Sequence, residues 1–346
     1  MNSSSIVPSS PPALAGSTLC VCKVCAADLA GARKHAVHEM YFGSRETFFY
    51  LECPACGSVQ IETVPPDLAR FYPSNYGPQS VPLIQALDLR GRIVSRLRGY
   101  LTRHQLGEHS LLGAAMAWAH SSPTPLPFWL KNEFVQVNLA TRILDVGCGN
   151  GAILSRLRWF GFRNLEGVEP FIKDAVDFGV VEIHRTAFEQ FEGGPYQLVM
   201  LHHVLEHLAE TEATLKHLAR LLAPEGSLII RIPLAGSYAW RTFGSDWVSW
   251  DAPRHLILYT PRGLTQLAER CGLSLAGVIY DSEDFQFYGS EQYRRGIPLV
   301  DPRSVFNNPP SGVFSRAEMD EFARRARELN ASQDGDQACF FFKHHP

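Results

Sequence analysis

The sequence predicts an α/β protein, in which a Rossmann-like sheet of seven strands follows a small N-terminal module with four cysteines. From residue 142 onward, short apolar runs alternate with helical segments, as they do in a doubly wound parallel sheet. The first of these runs leads directly into a glycine-rich loop at Gly147–Gly151. Nearer the N-terminus, two Cys-x-x-Cys pairs lie among short runs rich in Tyr, Phe and Val.

The composition is that of an ordinary globular protein. Of 346 residues, 45% are hydrophobic and 19% are charged, which excludes general disorder, collagen and a coiled coil. The net charge is −3 with histidine neutral, so the molecule as a whole does not attract polyanions from a distance. The sequence therefore carries no strong signal for nucleic-acid binding.

Two stretches bear on the location of the protein. Residues 1–22 carry no charge, so the positively charged start of a secretory signal is missing. The longest strongly apolar run, Leu111–Ala119, has about half the length that a membrane-spanning helix needs. We expect a cytoplasmic protein that does not span a membrane.

The N-terminal region divides into a tail and a module. Residues 1–17 are rich in Ser and Pro and poor in apolar side chains, so we expect them to be disordered. Residues 18–64 hold two Cys-x-x-Cys pairs separated by 27 residues, a spacing typical of two turns that close on one tetrahedral zinc ion. The predicted ligands of this zinc ribbon are Cys22, Cys25, Cys53 and Cys56.

The predicted zinc ion has a structural role, because four thiolates leave no open position for water or substrate. Gly57, after the second pair, permits the positive φ of such a turn, whereas Ala26 stands at the corresponding place after the first. Cys20 is an alternative ligand with poorer spacing. The alternative to the whole site is a set of reduced cysteines without metal.

Residues 65–137 are predicted to form a connector and a helical cap. Apolar residues recur there at steps of four and arginines lie mostly on other faces, which predicts an amphipathic helix from about Leu83 to His104. The apolar stripe consists of Leu89, Ile93, Leu97 and Leu101. One interpretation is a weak contact of the 88–104 helix with anionic lipid or a diphosphate; the commoner arrangement is a solvated basic face above a stripe that packs on the protein.

Residues 138–346 contain the seven predicted strands of the sheet, with helices between them. The strands are the runs ILDVG, LEGVEP, VVEIH, YQLVMLHH, SLIIRIP, LAGVIYD and ACFFFKHH. The helices are predicted over Ala152–Phe160, Phe171–Phe178, Thr211–Leu222 and Thr260–Cys271. In the last helix, Thr260 is the expected N-cap, Pro261 lies in the first turn and Gly272 ends the helix.

The glycine-rich loop favours a nucleoside site. Its glycines let the backbone turn sharply and approach a ligand closely, and the following helix begins with free N–H groups. The spacing is Gly-x-Gly-x-Gly, whereas a dinucleotide site needs Gly-x-Gly-x-x-Gly, so NAD is the weaker interpretation. Glu169 follows the second strand, eighteen residues after Gly151, where a carboxylate can accept hydrogen bonds from both ribose hydroxyls.

The runs ILDVGCGNG, GVEP, YQLVMLHHVLEHL and LLAPEGSLIIRIP together resemble class I S-adenosylmethionine-dependent methyltransferases, from about Thr141 to the C-terminus. The resemblance implies S-adenosylmethionine as cofactor and an antiparallel last strand, formed by the ACFFFKHH run. It also implies cofactor contacts by Asp145, Gly147, Cys148 and Gly149 at the methionine moiety, Glu169 at the ribose, Ala187 and Phe188 at the adenine, and His202 at the edge of the pocket.

A second motif follows the fourth strand. His203, Glu206 and His207 form the pattern His-x-x-Glu-His, which on its own is that of an inverted zinc-protease site. We reject this interpretation, because the pattern comes directly after a strand of the predicted nucleoside-binding sheet. His203 is instead one candidate for the base that accepts a proton during methyl transfer, or it has no chemical role. Glu206 and His207 are expected to form a structural hydrogen-bonded pair.

An insertion at residues 235–258 follows the fifth strand and contains the second candidate base, His255. We expect this insertion to lie over the C-terminal edge of the sheet, where it would face the transferable methyl group. Its rings, Trp240, Phe243 and Trp247, suit either an acceptor pocket or ordinary core packing.

Over nearly the entire chain, a zinc ribbon followed by a methyltransferase resembles a family that includes bacterial deoxysugar C-methyltransferases. That family has a tyrosine after the ribbon, for which Tyr72 and Tyr76 are loose counterparts, and a Tyr-x-Glu-His segment where this chain has Ala252–His255. Because only the histidine is kept, the prediction is methyl transfer to a hydroxyl of a sugar, nucleotide-sugar, glycan or related small molecule. The alternatives are methylation of RNA or protein with the ribbon as recognition module, and a non-enzymatic binding module.

Overall fold

The structure is a computed structural model that describes residues 21–72, 84, 87–119, 124–309 and 311–345. The helices in these residues are α1 (Leu89–Gln105), α2 (Leu111–Ala119), α3 (Ala152–Trp159), α4 (Thr211–Leu221), α5 (Tyr238–Phe243), α6 (Pro261–Arg270), α7 (Phe285–Arg294) and α8 (Arg316–Ala331). The strands are β1 (Arg33–His38), β2 (Thr47–Glu52), β3 (Val59–Ile61), β4 (Arg142–Val146), β5 (Asn164–Val168), β6 (Val176–Asp177), β7 (Val181–His184), β8 (Tyr196–His202), β9 (Leu222–Pro233), β10 (Ile257–Leu258), β11 (Leu273–Tyr280) and β12 (Gln337–His344). Within the described ranges, no helix is long and apolar enough to cross a membrane. The predicted tail at 1–17, Cys20 and Tyr76 lie outside the described residues.

The larger sheet has eight strands in the order β11-β12-β9-β8-β4-β5-β7-β6. The strands from β9 to β7 in this order run parallel, whereas β12 is antiparallel to both of its neighbours, β9 and β11. The predicted α/β class and the antiparallel last strand are therefore confirmed. Because β4 pairs with β5 on one side and with β8 on the other, a crevice opens at the carboxyl ends of β4 and β8.

The predicted helix at Phe171–Phe178 and the strand count of seven are both wrong. The chain instead forms the short strand β6, which pairs antiparallel with β7 and adds an eighth strand at the sheet edge. The carboxylate of Asp177 accepts a hydrogen bond from the backbone N–H of Gly179 at 2.8 Å, and Gly179 has a φ of 74°. This tight turn reverses the chain and buries Val176 against the sheet, which a helix over the same residues would not do.

The other predicted helices of this region, at 152–160, 211–222 and 260–271, are confirmed to within a residue at each end. The expected cap of α6 is present, because the Thr260 hydroxyl accepts a hydrogen bond from the backbone N–H of Gly263 at 3.0 Å. Pro261 lies in the first turn and Gly272 follows with a φ of 81°.

The N-terminal module is joined to the larger domain by a shared sheet. Its strands β1, β2 and β3 are antiparallel, and β3 also pairs with β10, which belongs to the 235–258 insertion. Buried side chains of the module, among them Cys22 and Val59, lie in the same hydrophobic cluster as Leu258 and Leu267 of the larger domain. The predicted module at 18–64 therefore packs as one body with the predicted domain at 138–346.

Helix α1 packs on the protein through small and polar residues. The hydroxyl groups of Ser95 and Thr102 donate to the carbonyl oxygens of Arg158 and Phe160 at 2.8 and 2.7 Å. The backbones approach so closely that a Cβ added to Gly161 would lie 2.8 Å from the Cα of Gly99. The expected burial of the apolar stripe is therefore wrong for Leu89, Ile93 and Leu97, and only Leu101 is buried.

Candidate active site

The glycine-rich loop lies at the carboxyl end of β4, in the crevice beside β8. Gly147 and Gly149 have φ values of 68° and 55°, a conformation that L side chains rarely adopt. A Cβ added to Gly147 would lie 2.5 Å from a methyl carbon of Val204. The local fold therefore requires glycine at this position, and it leaves the loop backbone open to a ligand.

Two buried carboxylates flank this loop. Glu169 accepts hydrogen bonds from the backbone N–H groups of Gly149 and Phe171, both at 3.0 Å. Asp145 is completely buried, and no described residue donates a hydrogen bond to its Oδ2 atom. Burial, and then the charge of Glu169, raise the pKa of Asp145. An orphaned carboxylate oxygen at this place fits a ligand that brings a cation or a hydrogen-bond donor.

The predicted cofactor residues Ala187, Phe188 and His202 differ in how accessible their side chains are. Phe188 is buried, with its ring edge-on to His217 at 4.8 Å, so its side chain belongs to the core and Ala187 is the more accessible of the pair. His202 lies against Trp129 at 4.9 Å, and no described residue bonds its buried Nε2 atom. Burial, followed by the charges of Arg231 and His203, lowers the pKa of His202 to about 3, so it is neutral at physiological pH.

Cys148 packs inside the fold behind the loop. Its sulfur lies 2.6 Å from the place that a Cβ on Gly167 would occupy, which shows how tightly the two strands' ends approach. Burial raises the pKa of the Cys148 thiol. The side chain is therefore a neutral packing group, and only its backbone is available to a ligand.

The second candidate centre is a cluster of three histidines around one carboxylate. Glu206 is completely buried, and neither of its oxygens accepts a hydrogen bond from a described residue. Its Oε1 atom lies 3.4 Å from Nδ1 of His203 and 4.0 Å from Nε2 of His255. Although burial raises the pKa of Glu206, the contact with His203 and the charges of His203, His207 and His255 lower it below its usual value.

Backbone carbonyls orient two of these rings. Nδ1 of His255 donates to the carbonyl of Ser249 at 2.8 Å, and Nδ1 of His207 donates to that of Arg254 at 2.9 Å. The Nε2 atoms then carry the lone pairs of the neutral rings. One possible ligand atom each from Glu206, His207 and His255 lies within 4.8 Å of the others. In the His-x-x-Glu-His pattern, His203 has a positive φ. The last three residues, Leu205–His207, form a single turn of 3-10 helix.

Burial and the neighbouring His207 lower the pKa of His255 to about 4, although Asp251 and Glu206 raise it. Tyr72, one of the two predicted tyrosines, places its hydroxyl 3.3 Å from Nδ1 of His207. His207 in turn lies edge-on to His255, with ring centres 4.7 Å apart. His255 is therefore a neutral imidazole whose Nε2 atom can accept a proton.

A cavity of about 510 Å³ opens beside His203 and His255. Its lining combines charged groups, among them Arg231 and Asp251, with the rings of Tyr41, Phe285 and Phe306. The aromatic residues that line the cavity are thus not those predicted from the sequence, which were Trp240, Phe243 and Trp247. Such a mixture of rings and polar groups suits a small polar molecule with an apolar face.

The rings of the 235–258 insertion mostly belong to the core. Trp247 is completely buried and its indole N–H donates to Asp336 at 2.9 Å. Phe243 is also buried, and Trp240 lies partly buried against His35, with ring centres 5.5 Å apart. Of the two interpretations left open by the sequence, core packing is the one the structure supports.

Arg231 and Asp281 are site residues that the sequence analysis missed. Nε of Arg231 donates to Asp281 at 2.6 Å, and its Nη1 group lies 3.3 Å from Nε2 of His203. Arg231 is the one charged residue of SLIIRIP, the apolar second half of β9, and Asp281 directly follows β11. A charged residue in an otherwise buried strand was the signal that could have identified them.

Comparison with known proteins identifies the family. A family described as "Methyltransferase domain" matches residues 101–277, about half of the chain. The chain belongs to this methyltransferase family. This family match agrees with the methyltransferase fold that the sequence predicts.

Several curated relatives of the methyltransferase share one name with each other. The chain is 29% identical over 147 residues to "Ubiquinone biosynthesis O-methyltransferase" of Xanthomonas oryzae pv. oryzae, covering 37% of this chain and 59% of that protein. It is 30% identical over 170 residues to the protein of that name from Maricaulis maris, covering 42% and 65%. The methyltransferase thus spans less than two thirds of the length of these relatives.

Among solved structures, the methyltransferase is similar to the 1,6-didemethyltoxoflavin-N1-methyltransferase of Burkholderia thailandensis, which contains S-adenosylhomocysteine. The identity is 11%, the TM-score is 0.39, and the match covers 86% of this chain and 96% of the other.

The four predicted metal ligands of the methyltransferase converge in the N-terminal module. The sulfur atoms of Cys22 and Cys56 are 3.8 Å apart, and those of Cys25 and Cys53 are 3.5 Å apart. Zinc–sulfur bonds of about 2.3 Å in a tetrahedron place sulfur atoms about 3.8 Å apart, so the residues fit a zinc ion.

The turns that hold these sulfurs resemble each other. Ala26 donates its N–H to the carbonyl of Cys22 at 2.8 Å, and Gly57 donates to that of Cys53 at 2.9 Å. Ala26 and Gly57 have φ values of 62° and 74°, so alanine adopts the left-handed conformation that glycine adopts in the second turn.

Proposed function

We propose that this methyltransferase transfers a methyl group from S-adenosylmethionine to a hydroxyl of a small sugar-containing or related molecule bound in the cavity beside His203 and His255. The observation that carries the proposal is the position of a neutral, backbone-oriented histidine, His255, in the wall of a polar and aromatic cavity. The relatives named as O-methyltransferases support oxygen as the acceptor atom.

The cofactor is assigned to the glycine-rich loop. The backbone of Gly147, Cys148 and Gly149 would hold the methionine moiety, and Asp145 would bind its ammonium group with the oxygen that no described residue bonds. Glu169 would accept from the ribose hydroxyls, with Ala187 at the adenine and His202 at the edge of the pocket. When bound, the cofactor supplies a methyl group on a sulfonium centre, which is displaced in line by the acceptor.

His255 is assigned as the base. Its Nδ1–H is fixed by the carbonyl of Ser249, so Nε2 is the atom that accepts the hydroxyl proton. The resulting imidazolium would be stabilised by Glu206 and Asp251, whose oxygens lie 4.0 and 3.9 Å from Nε2.

His203 is assigned as a positioning residue in the wall of the acceptor cavity. Nη1 of Arg231 lies 3.3 Å from Nε2 of His203, and Glu206 lies 3.4 Å from Nδ1, so both ring nitrogens already face a partner. A ring held between a cation and an anion in this way has a fixed orientation. With both nitrogens engaged in this way, the ring of His203 positions the guanidinium group of Arg231 at the cavity, and Arg231 is free to contact the acceptor with its other N–H groups.

We assign a structural zinc ion to Cys22, Cys25, Cys53 and Cys56. The four sulfurs leave no open coordination position, and the Thr260 hydroxyl donates to the carbonyl of Cys56 at 2.7 Å, which ties the site to the start of α6. The ion would hold together a module whose core is continuous with that of the larger domain.

The cofactor assignment is tested by calorimetric titration of S-adenosylhomocysteine into the purified protein. Gly147→Ala introduces a Cβ 2.5 Å from Val204 and should weaken binding at least tenfold. Gly179→Ala is the matched control, because Gly179 also has positive φ but a Cβ there meets nothing within 4 Å. Equal losses in both variants would contradict the assignment.

The acceptor assignment is tested by measuring S-adenosylhomocysteine release with nucleotide sugars, glycans, simple phenols, RNA and protein. His255→Asn should lower turnover of the true acceptor by about 10²- to 10⁴-fold while leaving S-adenosylhomocysteine affinity unchanged. Turnover of RNA or protein alone would favour the alternative in which the cysteine module recognises a macromolecule. Turnover of a phenol alone would retain hydroxyl transfer and overturn the sugar acceptor.

A further inference from the structure

Helix α1 turns its apolar stripe towards solvent. Leu89 is 76% exposed, Ile93 50% and Leu97 43%. A helix on the surface of a soluble domain normally directs such a stripe at the core. In α1 the core-facing positions are taken by small and polar residues such as Gly99 and Thr102, so the stripe is an apolar face without a partner in the described residues.

Helix α2, which packs beside α1, also exposes apolar side chains. It has nine residues, none of them charged, and Leu111 and Trp118 are 93% and 89% exposed. The two helices lie close together, because a Cβ added to Gly113 would be 2.1 Å from the carbonyl oxygen of Tyr100. We name as the α1–α2 patch the exposed side chains Leu89, Ile93, Leu97, Leu111, Leu112 and Trp118.

The surroundings of the patch are cationic. Residues 88–119 contain five arginines, against two acidic residues, Asp88 and Glu108. Asp88 accepts from the backbone N–H of Gly91 at 2.7 Å as the helix cap, and Glu108 lies 3.7 Å from Arg103. Both acidic groups thus have local partners. The segment therefore presents net positive charge around exposed leucine and tryptophan side chains.

We propose that the α1–α2 patch docks this methyltransferase onto an anionic lipid surface. An interfacial helix of this kind inserts its apolar side chains at the boundary of headgroups and acyl chains, while arginines pair with lipid phosphates. The long arginine side chains can reach the headgroups from beside the stripe, as they do when such residues snorkel. The proposal does not depend on the identity of the acceptor.

A second copy of the chain is the competing occupant. A symmetric dimer through the patch would bring the arginine-rich segments of two copies together, and like charges facing each other oppose association. The patch combines exposed apolar side chains with positive charge around them. An anionic lipid surface suits both, because its acyl region buries the apolar side chains and its phosphates neutralise the positive charge. Charge complementarity therefore favours lipid.

The experiment is co-sedimentation of the full chain with vesicles of phosphatidylcholine alone or mixed with phosphatidylglycerol. We expect binding to the mixed vesicles, weakened by salt, and little binding to phosphatidylcholine. Arg90→Gln with Arg96→Gln should weaken binding about 25-fold, because each arginine near an anionic surface contributes a factor of about five. Ile93→Glu with Leu97→Glu should abolish it.

The controls are substitutions of equally exposed residues elsewhere. Arg316→Gln on α8, where the side chain is 96% exposed, and Val64→Glu, where the residue is 43% exposed, should leave vesicle binding unchanged. The difference spectrum between wild type and Trp118→Phe isolates the Trp118 emission, which should shift to shorter wavelength on mixed vesicles. Equal binding of all variants would overturn the proposal. So would a concentration-dependent dimer in sedimentation velocity that Ile93→Glu dissociates while vesicle binding is absent.

Discussion

Glu206 Oε1 lies 3.4 Å from Nδ1 of His203 and 4.0 Å from Nε2 of His255, so one buried carboxylate serves two rings in the cavity wall. The same carboxylate accepts no hydrogen bond from a described residue, and its negative charge is balanced mainly by histidine. One negative charge therefore acts on both rings.

Glu206→Gln should slow methyl transfer about tenfold or more. The negative charge of Glu206 raises the pKa of His255, so its removal makes Nε2 a weaker base. The measurement is turnover with the identified acceptor, together with the ¹⁵N shifts of the His255 ring as a function of pH. Affinity for S-adenosylhomocysteine should not change, and unchanged turnover would show that the carboxylate does not act on the base.

Acidification should destabilise the protein between about pH 6.5 and pH 4. The folded-state pKa of His255 is lowered to about 4, so the unfolded chain binds this proton first as the pH falls. Above pH 6.5, the difference between the two pKa values of His255 adds about 3 kcal/mol to the free energy of unfolding. This contribution is lost as the pH falls from about 6.5 towards 4. Urea unfolding of wild type and His255→Asn at pH 7 and 4.5 measures it: the variant should lose less stability, and equal losses would contradict the assignment.

Gly161→Ala should destabilise the contact between α1 and α3. Gly161 has a φ of 98°, and an added Cβ would meet the Cα of Gly99 at 2.8 Å. We expect a loss of about 1–3 kcal/mol in thermal or denaturant unfolding, from backbone strain and overpacking. Gly272→Ala is the control, since it has a φ of 81° but nothing within 4 Å of the added Cβ. A loss no larger than in the control would mean that the two backbones separate without cost.

Replacing Cys53 and Cys56 by Ser should release about one zinc ion per chain and unfold the N-terminal module. Metal analysis of the native protein and of the variant measures the first effect, and circular dichroism measures the second. Cys339→Ser keeps the four-cysteine cluster intact and serves as the cysteine control for metal content, because Cys339 lies buried in β12. Native protein without zinc after preparation in zinc-containing medium would contradict the metal assignment.

The sequence predicted the parts of the site that are continuous along the chain. Asp145 lies near the end of β4, the glycine-rich loop follows β4, and Glu169 follows the neighbouring parallel strand β5, so strand pattern and spacing suffice to bring them together. The two Cys-x-x-Cys pairs are likewise local turns, and the structure brings all four sulfurs within reach of one ion.

Prediction from the sequence failed where contacts between residues distant in the chain determine the structure. Arg231 and Asp281 meet because β12 inserts between β9 and β11, which no local pattern reveals. The four-residue spacing of the apolar side chains in α1 predicts that their stripe faces the core. The close approach of Gly99 to Gly161 instead determines which face of α1 packs on the protein. At Val176 the strand pairing with β7 overrides the helical pattern.

The pairing of β3 with β10 has a consequence for protein engineering. The Tyr50 hydroxyl donates to the carbonyl of His255 at 3.0 Å, and β10 begins two residues after that histidine. The cysteine module thus supports the loop that carries His255. We therefore expect that replacing the module by one from another protein, or truncating the chain to start at β4, would displace His255 from its position in the cavity wall.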